Sequence, residues 1–199
     1  MSEKDSDLTL VKLTLANPDD YVFLVERYEA KLLRYIRRIT NVSVPEAEDL
    51  LQNVFLKAYQ NLNDFDPKLK FSSWIYRIAH NEVISNWRKK SARAEEVNLD
   101  EKDMEAFFTA AFSFDSAQDK TASEELDAKI LSKKVHEILS RLPIKYREVL
   151  ILRFIEEKDY AEISDIIRKP GGTVATLIAR AKKAFKQIAE RHYALIINL

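Results

Sequence analysis

Cysteine is absent from this 199-residue chain, which excludes disulfides and thiolate metal sites and suits a reducing cytoplasm. Glycine is nearly absent, with two residues, and together with the many charges this argues for helices. No apolar run is long enough to span a membrane, so no membrane insertion is expected, and the polar, acidic N-terminus is not a signal peptide. Histidine is scarce: His80, His136 and His192 are scattered, and the acids lie mostly on helix faces or in one acidic stretch. No nucleophile with a supporting base and no carboxylate metal cluster emerges, so no catalysis, cofactor or metal is expected. Apolar content of 46% is ordinary and allows a packed core, in one large domain or two small ones.

Net charge is also missing, but the zero total conceals a pattern. Residues 1–93 carry 15 Lys and Arg against 13 Asp and Glu, a surplus of two positive charges. Residues 94–127 carry 2 against 11, nine negative charges in excess, and residues 128–199 carry 15 against 8, seven positive in excess. Two neutral-to-basic blocks flanking an acidic one point to nucleic acid as a partner.

The first block reads as three helices. Asp19 or Asp20 can cap the first, which carries Phe23, Leu24, Tyr28, Leu32, Leu33, Tyr35, Ile36 and Ile39. Ser43 and Pro45 open the second, where Glu46, Glu48 and Asp49 suit the positive end of the helix dipole, and Leu50, Leu51, Val54, Phe55, Ala58, Tyr59 and Leu62 follow. Asn61 to Pro67 is a dense turn signal. The third helix, Phe71 to Arg93, carries two stripes at about 100° per residue. Phe71, Trp74, Ile75 and Ile78 form a core-facing stripe; Tyr76, His80, Val83 and Trp87 form a second. Arg77, Asn81 and Arg88 run beside the second stripe, and Arg88, Lys89, Lys90 and Arg93 close the segment. Rings beside cations are what single-stranded nucleic acid requires, since bases stack on the rings while the cations hold phosphates. An amphipathic helix with extra aromatics explains the same residues.

Residues 94–127 lose periodicity and read as a flexible acidic linker, with Phe107, Phe108, Phe112 and Phe114 suggesting docking on this chain or a partner. The last block resumes with Ile130, Leu131, Val135, Ile138 and Leu139, then Val149, Leu150, Leu152 and Phe154. Tyr160 to Ile167, the break Arg168 to Gly172, and a long helix from Thr173 as N-cap describe a helix-turn-helix. The long helix has one apolar stripe: Val174, Leu177, Ile178, Ala181, Phe185 and Ile188. In such a motif the second helix enters the major groove and its N-terminal residues reach base edges. The fold expected is all-α: two small helical domains, 1–93 and 128–199, joined by the linker 94–127, with the helix-turn-helix in the second.

Four stretches in order carry a resemblance. Asp49-Leu-Leu-Gln-Asn-Val-Phe55, Phe71-Ser-Ser-Trp-Ile-Tyr-Arg-Ile-Ala-His-Asn81, Leu142-Pro-Ile-Lys-Tyr-Arg-Glu-Val-Leu150, and Pro170-Gly-Gly-Thr-Val174 with Ala179-Arg-Ala181 resemble the bacterial RNA polymerase sigma factors. The chain looks like the small, two-domain extracytoplasmic-function (ECF) group, over residues 20–93 and 125–192. The resemblance implies a cytoplasmic protein that binds core RNA polymerase and directs promoter recognition and melting, with an anti-sigma factor as a further partner. It assigns core docking to Glu48, Asp49, Gln52 and Asn53, with Leu51 and Phe55 explained by packing. It places the opened minus-ten strand on the loop residues Asn63, Phe65 and Lys70 and on Tyr76, Arg77, His80, Asn81, Trp87, Arg88 and Lys89 of the helix, leaving Trp74 to the core. The minus-thirty-five duplex falls to Arg168, Lys169, Thr173, Thr176, Arg180 and Lys183.

The linker fits either a solvated tether or a mimic of RNA in the polymerase channel. The apolar ending Tyr193 to Leu199 fits packing on the last domain or docking of an inhibitory partner. One departure matters. The family commonly has Lys-Ser-Arg after Thr-Val, where this chain has Ala175-Thr-Leu177, and its turn glycine corresponds to Arg168. A left-handed Arg168 costs about 1 kcal/mol relative to glycine. Other classes remain: a one-component regulator binding duplex through the helix-turn-helix, a recombinase-like enzyme, or a sigma-like adaptor that has lost duplex recognition.

Overall fold

The structure, a computed structural model, describes residues 6–90 and 134–197. The linker 94–127 with its phenylalanines, Arg93, Ile130 and Leu131 lie outside the described residues, as do the side chains of Lys90 and of the ending Tyr193 to Leu199. Among the described residues the regular structure is all helical. In chain order it comprises α1 (Asp7–Ala16), α2 (Tyr21–Thr40), α3 (Val44–Gln60), α4 (Phe71–Lys90), α5 (residues 134–141), α6 (Ile144–Phe154), α7 (Tyr160–Ile167) and α8 (Gly171–Ile197). Short 3-10 turns stand at Pro18–Asp20 and Leu62–Asp64. One compact unit gathers α1 to α4 with residues 161–169; the other gathers the remaining described residues.

In the first unit the three expected helices form, and their apolar spacing explains the core. Leu24, Tyr28, Leu32, Tyr35, Ile36 and Ile39 of α2 are buried against Ala47, Leu50, Leu51, Val54 and Ala58 of α3 and the inner face of α4. Neither Asp19 nor Asp20 caps α2 with its side chain: the side-chain Oδ1 of Asn17 accepts from the Asp19 amide at 3.3 Å and starts the 3-10 turn that leads into it. Asn41 ends α2 in the left-handed region at φ 58°, a conformation asparagine tolerates. Helix α1 was not anticipated. Ser6 caps it by accepting from the Thr9 amide at 3.2 Å. Asp7 then ties it to α2, its carboxylate taking Arg27 at 2.9 Å and the Tyr28 hydroxyl at 2.5 Å. Burial, with Asp7 beside it, raises the Tyr28 phenol above its ordinary value.

An aromatic cluster closes this unit. Phe71 lies 5.5 Å from Tyr28, 5.4 Å from Phe65 and 5.4 Å from Trp74, with Phe65 also 5.5 Å from Trp74. Such pairs contribute about 0.5–1.5 kcal/mol each beyond the area they bury. A Lys57–Glu82 ion pair joins α3 to α4 on the outside.

In the second unit, Val135, Ile138 and Leu139 of α5 and Val149, Leu150, Ile151 and Leu152 of α6 are buried, as are Val174, Ile178, Ala181 and Phe185 of α8. Arg147 secures the end of α5. Its guanidinium donates to the carbonyls of Leu139 at 2.7 Å, Ser140 at 2.6 Å and Leu142 at 3.1 Å, satisfying acceptors that a helix terminus leaves open. Phe154, expected in the core, is only part-buried, with the Lys182 ammonium 5.3 Å from its ring centre.

Candidate nucleic-acid interface

Helix α3 presents one polar edge. Its buried stripe runs through Ala47, Leu50, Leu51, Val54 and Ala58, which turns Glu48, Asp49, Gln52 and Asn53 outward, and all four are exposed. Asn53 donates to the Asp49 carbonyl at 3.0 Å, fixing its amide along the helix. Phe55 is part-buried beside Tyr21, whose hydroxyl donates to the Phe55 carbonyl at 2.7 Å. Further along the same edge stand Leu56, 55% exposed, which sequence reasoning passed over, and Tyr59, 42% exposed, which it counted with the apolar residues of the helix. The available signal was their place off the buried stripe, at the spacing that continues from Gln52.

Helix α4 sorts its rings differently from the two-stripe reading. Trp74 is in the core, as expected. Tyr76 is there too, 2% exposed, with its ring 4.9 Å from that of Tyr35 on α2, and Val83 is fully buried. Tyr76 is therefore corrected from strand contact to core residue: α2 covers it through Tyr35, while His80 of the same stripe is half-buried and Trp87 is 40% exposed. Phe65 is corrected in the same way. At 7% exposure it belongs to the aromatic cluster with Phe71 and Trp74, not to a base-capturing loop tip. Asn63 and Lys70 of that loop are exposed, and the Asp66 carboxylate holds the turn by accepting from the Lys68 amide at 2.9 Å.

What remains outward on α4 is one continuous surface. His80, Asn81, Ile84, Ser85, Arg88 and Lys89 line an open groove of about 420 Å³. Arg77 is half-buried on the same face, where burial lowers its guanidinium from the ordinary value yet leaves it charged. Glu82 is the single acid of the helix, and it points to Lys57 on the other side. The cations of the groove therefore face no carboxylate from their own helix. The arrangement offers an exposed indole at one end, cations along the wall, and amide and imidazole groups between them.

The elements expected of a helix-turn-helix follow in chain order: α7, a three-residue turn and α8. Helix α8 begins at Gly171, two residues before the expected cap Thr173, because the Pro170 carbonyl accepts from the Thr173 amide at 2.8 Å and the Val174 amide at 3.0 Å. Arg168 adopts the left-handed conformation, φ 54°, that the missing glycine implied, and both Arg168 and Lys169 are exposed. A second non-glycine residue, Glu157 in the turn after α6, is also left-handed at φ 51°. Along α8, Thr173, Thr176 and Arg180 are exposed and Lys183 is half-buried, all on one face at three- and four-residue spacing. The Thr176 hydroxyl donates to the Gly172 carbonyl at 2.9 Å.

Comparison with known proteins places both segments. Residues 24–93 match Sigma-70 region 2 and residues 132–185 match Sigma-70, region 4. The chain is 33% identical over 169 residues to the ECF RNA polymerase sigma factor SigW of Bacillus subtilis, covering 85% of this chain and 88% of that protein. It is 31% identical over 163 residues to the RNA polymerase sigma-H factor of Pseudomonas aeruginosa, covering 81% of each. Among solved structures, CnrH in complex with the cytosolic domain of CnrY has the same fold, with a TM-score of 0.65 at 20% identity over 94% of this chain and 99% of that one. The Bartonella quintana sigma factor RpoE, solved with the anti-sigma factor NepR, gives 0.60 at 17% identity over 86% and 97%. Helical units, an outward basic face on α4, a helix-turn-helix, and two relatives above 30% identity along most of their length agree: the chain belongs to the ECF RNA polymerase sigma factors.

Proposed function

We propose that this protein is a dissociable, promoter-selecting subunit of RNA polymerase that acts in the cytoplasm by binding and not by catalysis. The observation that carries the reading is the α4 surface, where exposed Trp87 adjoins a groove walled by Arg88 and Lys89. Opening a promoter requires unstacking bases at a few kcal/mol each. Stacking on an exposed ring returns about 1–3 kcal/mol per base and needs no chemistry. Arg77, His80, Asn81, Trp87, Arg88 and Lys89, with Asn63 and Lys70 from the preceding loop, hold the opened minus-ten strand. Glu48, Asp49, Gln52 and Asn53, extended by Leu56 and Tyr59, dock on core polymerase. Arg168, Lys169, Thr173, Thr176, Arg180 and Lys183 address the minus-thirty-five duplex. An anti-sigma factor is the fitting inhibitor, given that a relative of this fold was solved with one.

Run-off transcription with core polymerase, this protein and a library of genomic promoters tests the reading; initiation from a defined subset is the expected result. One observation favours a second reading. Residues 171–179 of α8 contain no cation, as an adaptor that had lost duplex recognition would show. Tight core binding with no initiation anywhere would establish the adaptor, and a stable duplex complex formed without polymerase would establish a one-component regulator.

A further inference from the structure

The recognition helix α8 presents an unusual face. Gly172, Thr173, Thr176, Arg180 and Lys183 recur along one side, with Ala175 flanking it, and Gly171 to Thr173, Ala175 and Thr176 are all exposed. No Arg, Lys, Asn or Gln stands before Arg180, so the end of the helix that enters a groove first has no side chain able to make a bidentate bond to a base. The two glycines are not demanded by the chain itself. Neither has positive φ, and a Cβ added at either would meet no atom within 4 Å. Their effect is to leave the leading turn bare, so that a partner can approach the backbone closely.

What this end offers instead is methyl groups. Ala175 exposes its Cβ. Thr176 has its hydroxyl turned back to the Gly172 carbonyl at 2.9 Å, so the group it shows outward is the methyl. Cations follow at Arg180 and Lys183, about one turn and two turns further on, where they suit phosphates more than bases. Alanine and threonine methyls are the side-chain partners of the thymine C5-methyl in the major groove. Resting on the proposed role of α8 in holding the minus-thirty-five duplex, we infer that the helix selects its element through thymine methyl groups packed on Ala175 and Thr176. Guanine-directed hydrogen bonds contribute nothing from this end of the helix, and Arg180 and Lys183 supply sequence-independent grip.

The test uses the full-length protein bound to core polymerase. Promoter duplexes are first selected from a library randomised across the upstream element, and each thymine of the selected element is then replaced singly by deoxyuridine, which removes only the C5-methyl. Affinity should fall about fourfold (about 0.8 kcal/mol) at one or two positions, the effect of one methyl leaving an apolar contact. In Thr176→Ser, which keeps the hydroxyl and the helix, the penalty at one of those positions should vanish; Ala175→Gly should erase the other. Arg180→Ala should weaken thymine and uracil duplexes equally. Deoxyuridine without effect at every position, or an element with no A·T pair, would overturn the inference while leaving promoter selection intact. Holoenzyme that enriches no promoter at all would overturn both.

Discussion

Helices α4 and α8 are both long, both amphipathic, and both assigned to DNA, yet they expose different chemistry. Outward, α4 shows an indole, an imidazole, an amide and a run of cations; the leading half of α8 shows glycine, alanine and threonine. On the proposed function, the difference follows from what each would hold. A melted strand has free base faces, so rings bind it, and its flexible backbone needs charge nearby. A closed duplex hides those faces and presents only groove edges, which small side chains reach without displacing the helix. The left-handed positions differ as well. Helix α2 ends on an asparagine there, Asn41, while Glu157 and Arg168 take that region in the turns after α6 and α7, each at about 1 kcal/mol relative to glycine.

The contrast between buried and outward rings on α4 can be broken most forcefully at Trp74. Replacing it by alanine should cost about 3–5 kcal/mol of stability, read from urea unfolding of the whole protein, because the ring lies in the aromatic cluster. Trp87→Ala is the matching test on the outside. Its unfolding midpoint should stay put while promoter opening, followed by permanganate reactivity of minus-ten thymines, falls about tenfold, in line with one lost stacking platform. Should the folded Trp87→Ala holoenzyme open promoters normally, the outward face of α4 has been misread. On α3, Leu56→Lys should weaken core polymerase binding about tenfold, measured by titration with labelled protein, and leave thermal stability unchanged. The smallest effect belongs to the turns. Glu157→Gly should raise stability by about 1 kcal/mol, seen as a higher unfolding temperature, whereas Asn41→Gly should change it little.

Much of this architecture is legible from spacing alone. The apolar intervals of α2, α3 and α8 predict their buried faces; the left-handed backbone at Arg168 comes instead from the family resemblance, whose turn glycine Arg168 replaces. Tyr76 and Phe65 are where such reasoning fails. A helical period identifies residues sharing a face, but not how many faces a bundle will cover, and α2 covers a second one through Tyr35. Loop position suggested exposure for Phe65, yet a single 3-10 turn is enough to swing its ring inward. Helix α1 escaped notice because Leu8, Leu10, Leu13 and Leu15 mix two-residue with three-residue spacing, matching neither period cleanly. The outer groove on α4 was partly visible in His80, Asn81, Arg88 and Lys89. Ile84 and Ser85, which complete its lining, carry no chemical signal of their own.

The Lys57–Glu82 bridge gives the first unit a property of measurement. It ties the helix that would grip polymerase to the helix that would grip the opened strand, with Glu82 13% and Lys57 52% exposed, at the rim of an α3–α4 contact whose inner face Leu51, Val54 and Ala58 fill. On the proposed function, the protein then acts as a gauge block: the span from enzyme to melted base is set by one helix crossing and is the same at every promoter. Promoters can differ in sequence, but along this part of the molecule they must all be cut to that length.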